Sequence, residues 1–155
     1  MSKRVFLTAA LFLVFLIAVE RPGAAAATPN TDLTVEMMKA KLASTNIPDR
    51  PHLCVQIAER QMAETSKLYA AAEDEKAQAT LTDVVAFSEL ARDYAIQSHK
   101  YQKQSEIAVR EMARKLTEIM HTLGHDDQAP IRDALSHLQR VRDDLLMAMF
   151  PKGQR

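Results

Sequence analysis

Residues 95–109 read AIQSHKYQKQSEIAV, and the fold depends on whether one helix continues through this polar stretch or the chain reverses within it. Apolar and small residues recur at alternating steps of three and four on both sides of the stretch, in the same register. The stretch contains no glycine or proline, and its residues tolerate a helix well. This seam comprises Leu81, Val84, Ser88, Ala91, Ala95, Ser98, Gln102, Ser105, Val109, Met112, Leu116, Ile119 and Leu123.

A loop would keep that register only by chance, so the pattern favours one central helix from about residue 75 to residue 123. At about 1.5 Å per residue it would be roughly 73 Å long. The predicted fold is all-α, with antiparallel helical hairpins on this long helix. The alternative is a turn at residues 99–102, which gives four helices in an up-down-up-down bundle.

The first long helix has a start signal and an indirect stop signal. Asp49 can accept hydrogen bonds from free amide groups, and Pro51 suits a first turn. The apolar stripe at residues 55–72 is out of phase with the stripe that begins at Ala77. We therefore predict a turn at residues 73–75.

The last helix carries apolar positions at helical spacing over residues 131–149 and stops at Pro151. The predicted organisation is a signal peptide at 1–27, an N-terminal arm at 28–50 with a short helix capped by Thr34, a helical domain at 51–150 and a tail at 151–155.

The first 27 residues have the composition of a secretory signal. A basic start at residues 3–4 precedes an apolar run of 15 residues at 5–19, and small residues follow at 24–27. Spanning a bilayer takes about 20 apolar residues, so the run is short for a membrane anchor. We expect cleavage near Ala26 or Ala27, export to the periplasm or the extracellular space, and no stable membrane anchor afterwards.

Charge and glycine content exclude several classes of function. Removal of residues 1–27 takes away three basic residues and one acidic residue, which leaves 17 basic and 19 acidic residues and a net charge of −2. Acids and bases are interspersed, which argues against a nucleic-acid partner. Only Gly124 and Gly153 then remain, so the chain has no glycine-rich phosphate loop and no nucleophile elbow. We predict no cofactor.

Cys54 is the only cysteine. It has no partner within the chain for a disulfide or a cysteine-based metal cage. We expect a buried side chain on a helix, and the alternative is a disulfide with a second chain.

One cluster has the chemistry of metal ligands. His121 and His125 are four residues apart, with Asp126 beside them. Two imidazoles one helical turn apart can bind zinc, copper or nickel, and a carboxylate can complete the shell. The competing interpretation is that histidines near a helix C-terminus interact with the helix dipole without any metal.

The long-helix model requires a partner, because a lone hairpin buries little apolar surface. Phe87, Leu90, Tyr94 and Tyr101 form a second stripe that one partner helix cannot fully cover. The small side chains of the seam would let the backbones of two central helices approach each other. We therefore predict self-association or a protein partner at Phe87, Ala91, Tyr94, Ala95, Ser98 and Tyr101. If the chain turns near His99, the four helices close on themselves and a monomer suffices.

Two resemblances are carried by longer stretches. AERQMAETSKLYAAAEDEKAQATL at 58–81, followed by AFSELARDYA at 86–95, resembles a single tetratricopeptide-type helical hairpin, with Ala72 where that family usually has a glycine. LCVQIAERQ, DVVAFSELARDYA and DLLMAMF resemble a family of exported helical proteins of soil bacteria. The second resemblance implies an all-helical fold and brings no activity with it.

The sequence places no nucleophile, base and orienting group together, so we predict no catalytic activity. The expected function is that of an exported helical interaction or structural protein. The alternative is a periplasmic helical protein that binds zinc, copper or nickel.

Overall fold

The structure, a computed structural model, describes residues 33–151. No strand occurs within that range, so the all-α prediction is confirmed. The predicted signal peptide and residues 152–155 of the predicted tail lie outside it. The helices are α1 (Val35–Ser44), α2 (Arg50–Ala70), α3 (Asp74–Ser98), α4 (Gln102–Met120) and α5 (Ala129–Met149), with short 3₁₀ helices at Ile47–Asp49 and His125–Gln128.

Helices α2 to α5 form a four-helix bundle in which successive helices run in opposite directions. α2 packs on α3 and α4 packs on α5 as two hairpins, and α2 also contacts α4. His52 near the start of α2 stacks on Tyr101 at the start of α4, and Tyr69 near the end of α2 shares a cleft with Ile119 near the end of α4. α2 and α4 therefore run in the same direction.

Helices α3 and α5 also lie side by side and run in the same direction. Glu89 pairs with His137, and Arg92 in the next turn of α3 pairs with Asp144 further along α5. Contacts thus link α2 to α3, α3 to α5, α5 to α4 and α4 to α2, which closes a ring around one core.

The predicted continuous helix from 75 to 123 is wrong, and the alternative bundle is the one that forms. α3 ends at Ser98, α4 spans Gln102–Met120, and the chain reverses between them. His99 and Tyr101 adopt left-handed backbone conformations, with φ of 55° and 60°. Most seam residues are nevertheless buried on both α3 and α4, because both halves of the seam face the same core. A continuous register therefore did not require a continuous helix.

Local contacts hold this reversal without a glycine. The Ser98 hydroxyl donates to the Tyr94 carbonyl at 2.7 Å and accepts from the Lys100 amide at 3.3 Å. The Ser105 amide donates to the Tyr101 carbonyl at 2.8 Å, which begins α4. The Tyr101 ring packs on His52 of α2, so tertiary contacts help to fix the turn.

The turn between α2 and α3 lies at residues 71–73, slightly before the predicted 73–75. Ala72 has a φ of 56°. Its amide donates to the Tyr69 carbonyl at 3.1 Å, and the Glu73 amide donates to the Leu68 carbonyl at 2.9 Å. This pair of hydrogen bonds is the Schellman motif, in which a glycine normally occupies the position of Ala72.

Helix α1 belongs to the same compact unit as the other helices, and this unit begins at Leu33. The Thr34 hydroxyl caps α1 by accepting from the Met37 amide at 3.3 Å. Lys39 reaches Asp83 of α3 at 2.8 Å, and this hydrogen bond raises the pKa of Lys39.

The core is mainly aliphatic, and the burial of each large side chain contributes roughly 1.5–3 kcal/mol. The large, fully buried aliphatic side chains are Ile57, Met62, Val84, Val109, Leu116, Ile131, Leu138, Val141 and Leu145.

No helix within residues 33–151 is long and apolar enough to cross a membrane.

Candidate functional site

A groove of about 400 Å³ lies between α3 and α5. Leu81 and Ala134 are almost completely buried and belong to its apolar lining, together with Val85 and Ala86. Small side chains at 86 and 134 keep the two helices from filling this space. We name the whole set the α3–α5 groove: Gln78, Leu81, Thr82, Val85, Ala86, Glu89, Pro130, Asp133, Ala134 and His137.

The α3–α5 groove contains two carboxylates, Glu89 and Asp133, and one histidine, His137. The His137 Nδ1 atom lies 2.9 Å from Glu89 Oε1, and its Nε2 atom lies 3.9 Å from Asp133 Oδ2. A neutral imidazole has one N–H and can donate to only one of these carboxylates. Each carboxylate can accept several hydrogen bonds, so Glu89 and Asp133 keep capacity for a further donor.

An ion pair joins α3 to α5 one turn beyond Glu89. Arg92 contacts Asp144 at 3.1 Å and also contacts its neighbour Asp93 at 2.8 Å. These contacts fix the spacing of α3 and α5 beyond the Glu89–His137 pair. The groove is therefore a preformed feature of the bundle, with an apolar lining and carboxylates from both helices.

This arrangement can bind an apolar group that carries a positive charge. Its volume lies near the lower end of the roughly 300–1,000 Å³ typical of ligand pockets, enough for a small ligand or a few side chains of a partner. The apolar lining would contribute by excluding water, and the carboxylates would select for a cation.

The residues predicted to form an interface between chains make their contacts within one chain. Ala91 and Ala95 are fully buried in the bundle. Phe87 packs against the buried cluster that contains Cys54 and Ala91. The Arg50 guanidinium lies 5.1 Å from the centre of the Tyr94 ring and donates to its hydroxyl at 3.2 Å. Ser98 and Tyr101 hold the α3–α4 turn. The geometric case for self-association through these residues rested on the continuous helix and does not apply to the closed bundle.

The predicted metal ligands lie at the junction of α4 and α5. His121 follows the last residue of α4, and His125 and Asp126 lie in the 3₁₀ helix before α5; all three are exposed. Among residues 33–151, no group of three or more His, Cys, Asp or Glu side chains is arranged to hold a metal ion. The metal site stays a prediction for titration to test.

Two other groups have unusual surroundings. Cys54 is fully buried, and burial raises the pKa of its thiol to about 12. The Tyr69 hydroxyl is buried with no hydrogen-bond partner among residues 33–151, and burial raises its pKa. Tyr69 lines a smaller cleft of about 270 Å³ between α2 and α4, but the hydroxyl oxygen itself is not accessible from that cleft.

The residues of the α3–α5 groove were not predicted from the sequence. Gln78, Thr82, Val85 and Glu89 recur at steps of four, three and four, which places them on one side of α3. Asp133 and His137 on α5 form a corresponding polar pair. The missing information was that α3 and α5 are neighbours, which follows only from the reversal at residues 99–101.

Comparison of the chain with protein-family models, curated proteins and solved structures finds no match. The candidate site therefore rests on the geometry of this chain alone.

Proposed function

We propose that this protein is an exported helical interaction protein without catalytic activity, and that it binds a protein partner in the α3–α5 groove. The observation that supports the proposal best is the combination, in one preformed groove, of an apolar lining with Glu89 on one wall and Asp133 on the other. Export is supported by the composition of residues 1–27.

The chemistry of the groove indicates the chemistry of the partner. Apolar side chains along one face of a partner segment would replace water over Val85 and Ala134, and lysine or arginine next to them would meet Glu89 and Asp133. A basic amphipathic helix presents such side chains at i, i+3 and i+4. We take this as the class of partner segment that fits the groove.

Site-specific photo-crosslinking tests this proposal in the cells that make the protein. A photoreactive amino acid replaces Thr82, which is exposed and lines the groove, and in a matched control it replaces Lys115, which is exposed on α4 outside the groove. We expect one discrete crosslinked product from position 82 and none from position 115. The same purified material reports the mature N-terminus by mass spectrometry, which we expect between residues 23 and 28.

Charge reversal then tests the electrostatic part. The Glu89→Lys, Asp133→Lys variant should lose the product from position 82. Glu59→Lys, Asp143→Lys changes the net charge equally at exposed positions outside the groove and should keep the product. Equal crosslinking from positions 82 and 115, or a product that survives reversal of Glu89 and Asp133, would contradict the proposal.

A further inference from the structure

The three-residue connection between α3 and α4 is strained. His99 and Tyr101 both have positive φ, which costs a residue with a Cβ atom free energy because the Cβ approaches the following carbonyl oxygen. Left-handed positions in turns are normally filled by glycine or asparagine. Neither residue type occurs in residues 95–109.

The same residues suit a helix. The stretch contains no helix breaker, and the seam steps of three and four continue through Ser98, Gln102 and Ser105 without a phase change. Straightening the connection would therefore add no new polar residue to the seam. Backbone groups at the end of α3 and the start of α4 would gain the i→i−4 hydrogen bonds that the turn interrupts.

The closed chain also leaves polar atoms unpaired next to this turn. The Ser105 hydroxyl and the Gln102 side-chain nitrogen are buried, and neither has a hydrogen-bond partner among the described residues. In α3, by contrast, the Ser88 hydroxyl donates to the Val84 carbonyl at 2.7 Å, four residues earlier. Burying the Ser105 oxygen and the Gln102 nitrogen without such a bond costs free energy in the closed chain.

We propose that two copies of this chain exchange hairpins: the connection at residues 99–101 straightens, and the α2–α3 hairpin of one chain packs on the α4–α5 hairpin of the other. This dimer contains two bundles, each with the same α3–α5 and α2–α4 contacts as the closed monomer. The surface through which the two hairpins of one chain pack together is thus also an interface for a second copy. Short, strained hinge loops favour such exchange. This inference does not depend on the proposed partner of the groove.

Glycine and alanine substitutions at the hinge separate the two states. The His99→Gly, Tyr101→Gly variant relieves strain in the closed turn and disfavours a continuous helix, whereas His99→Ala, Tyr101→Ala keeps the strain and favours the helix. Relative to alanine, each glycine should weaken dimer affinity roughly tenfold. The dimer contains four substituted residues, two in each chain, so the glycine variant should dimerise on the order of 10⁴-fold more weakly. Sedimentation equilibrium of the mature chain after long incubation at high concentration measures this shift.

Crosslinking between hairpins distinguishes exchange from any other dimer. Cysteines placed at Glu89 and His137, in a chain with Cys54→Ala, are joined by a short bis-maleimide. Exchange predicts that the dimer fraction becomes a covalent dimer on a denaturing gel, while the monomer fraction is joined only within one chain. A dimer crosslinked only within its chains would overturn the proposal. So would the absence of dimer in the alanine variant, or glycine and alanine variants with equal dimer affinity.

Discussion

Replacing Ala72 by glycine should stabilise the bundle. Ala72 is exposed, so the substitution removes no packing, but its φ of 56° lies in the left-handed region. An alanine there costs about 1–2 kcal/mol, and glycine avoids this cost. Glycine also gives the unfolded chain more conformational freedom, which favours unfolding by about 0.4–1 kcal/mol. The expected net gain in the free energy of unfolding is about 0.5–1 kcal/mol.

Equilibrium unfolding of the mature chain in urea measures this difference. The matched control is Ala71→Gly, one residue earlier, where φ is −89° and glycine relieves no strain. We expect Ala72→Gly to raise the midpoint and Ala71→Gly to lower it, with little change in the slope for either. If both variants lower the midpoint equally, the left-handed strain assigned to Ala72 is refuted.

Four further predictions follow from other parts of the structure. Arg142→Ala removes the guanidinium that lies 2.8 Å from the buried Glu106 carboxylate, and it should lower the free energy of unfolding in urea by about 2–3 kcal/mol. This is less than for a fully buried pair, because Arg142 is partly exposed; an unchanged midpoint would contradict the prediction. Tyr69→Phe removes a buried hydroxyl that has no hydrogen-bond partner within the described part of the chain, and it should stabilise the fold by up to about 1 kcal/mol; a loss of stability would contradict this. The Cys54 thiol should react with a thiol reagent at pH 8 only after unfolding, and rapid reaction of the native protein would exclude its burial. Because its folded pKa is raised to about 12, the thiol should contribute fully to stability below about pH 9, and this contribution should be lost as the pH rises towards 12. Calorimetric titration with zinc, copper and nickel tests the metal alternative: micromolar binding that disappears when both predicted histidine ligands are replaced by alanine would support it, and the absence of heat would favour the interaction protein.

The sequence predicted the buried faces of the helices better than it predicted how they connect. Period-3.6 patterning identified Leu81 and Ala95 on α3 and Val109 on α4 as core positions, because burial selects residue type at every turn. It could not reveal the reversal between them. His99 and Tyr101 are not typical turn residues, and their left-handed conformations are maintained by packing and hydrogen bonds around the turn.

The candidate groove escaped prediction for a related reason. Glu89 and His137 are 48 positions apart, and neither belongs to a recognisable motif. Their proximity follows from the order of helices around the bundle, which depends on where the chain reverses. Composition and periodicity describe one helix at a time, whereas the α3–α5 groove is a property of two helices packed together.

The most direct test of the α3–α5 groove as the binding surface is amide hydrogen exchange of the mature chain with and without its purified crosslinking partner. The groove predicts slower exchange at residues 78–89 of α3 and 130–137 of α5 in the complex, with α4 unchanged. The Glu89→Lys, Asp133→Lys variant should show no such protection. Protection confined to α4, or to the surface of α1 and α2, would contradict the assignment of this groove.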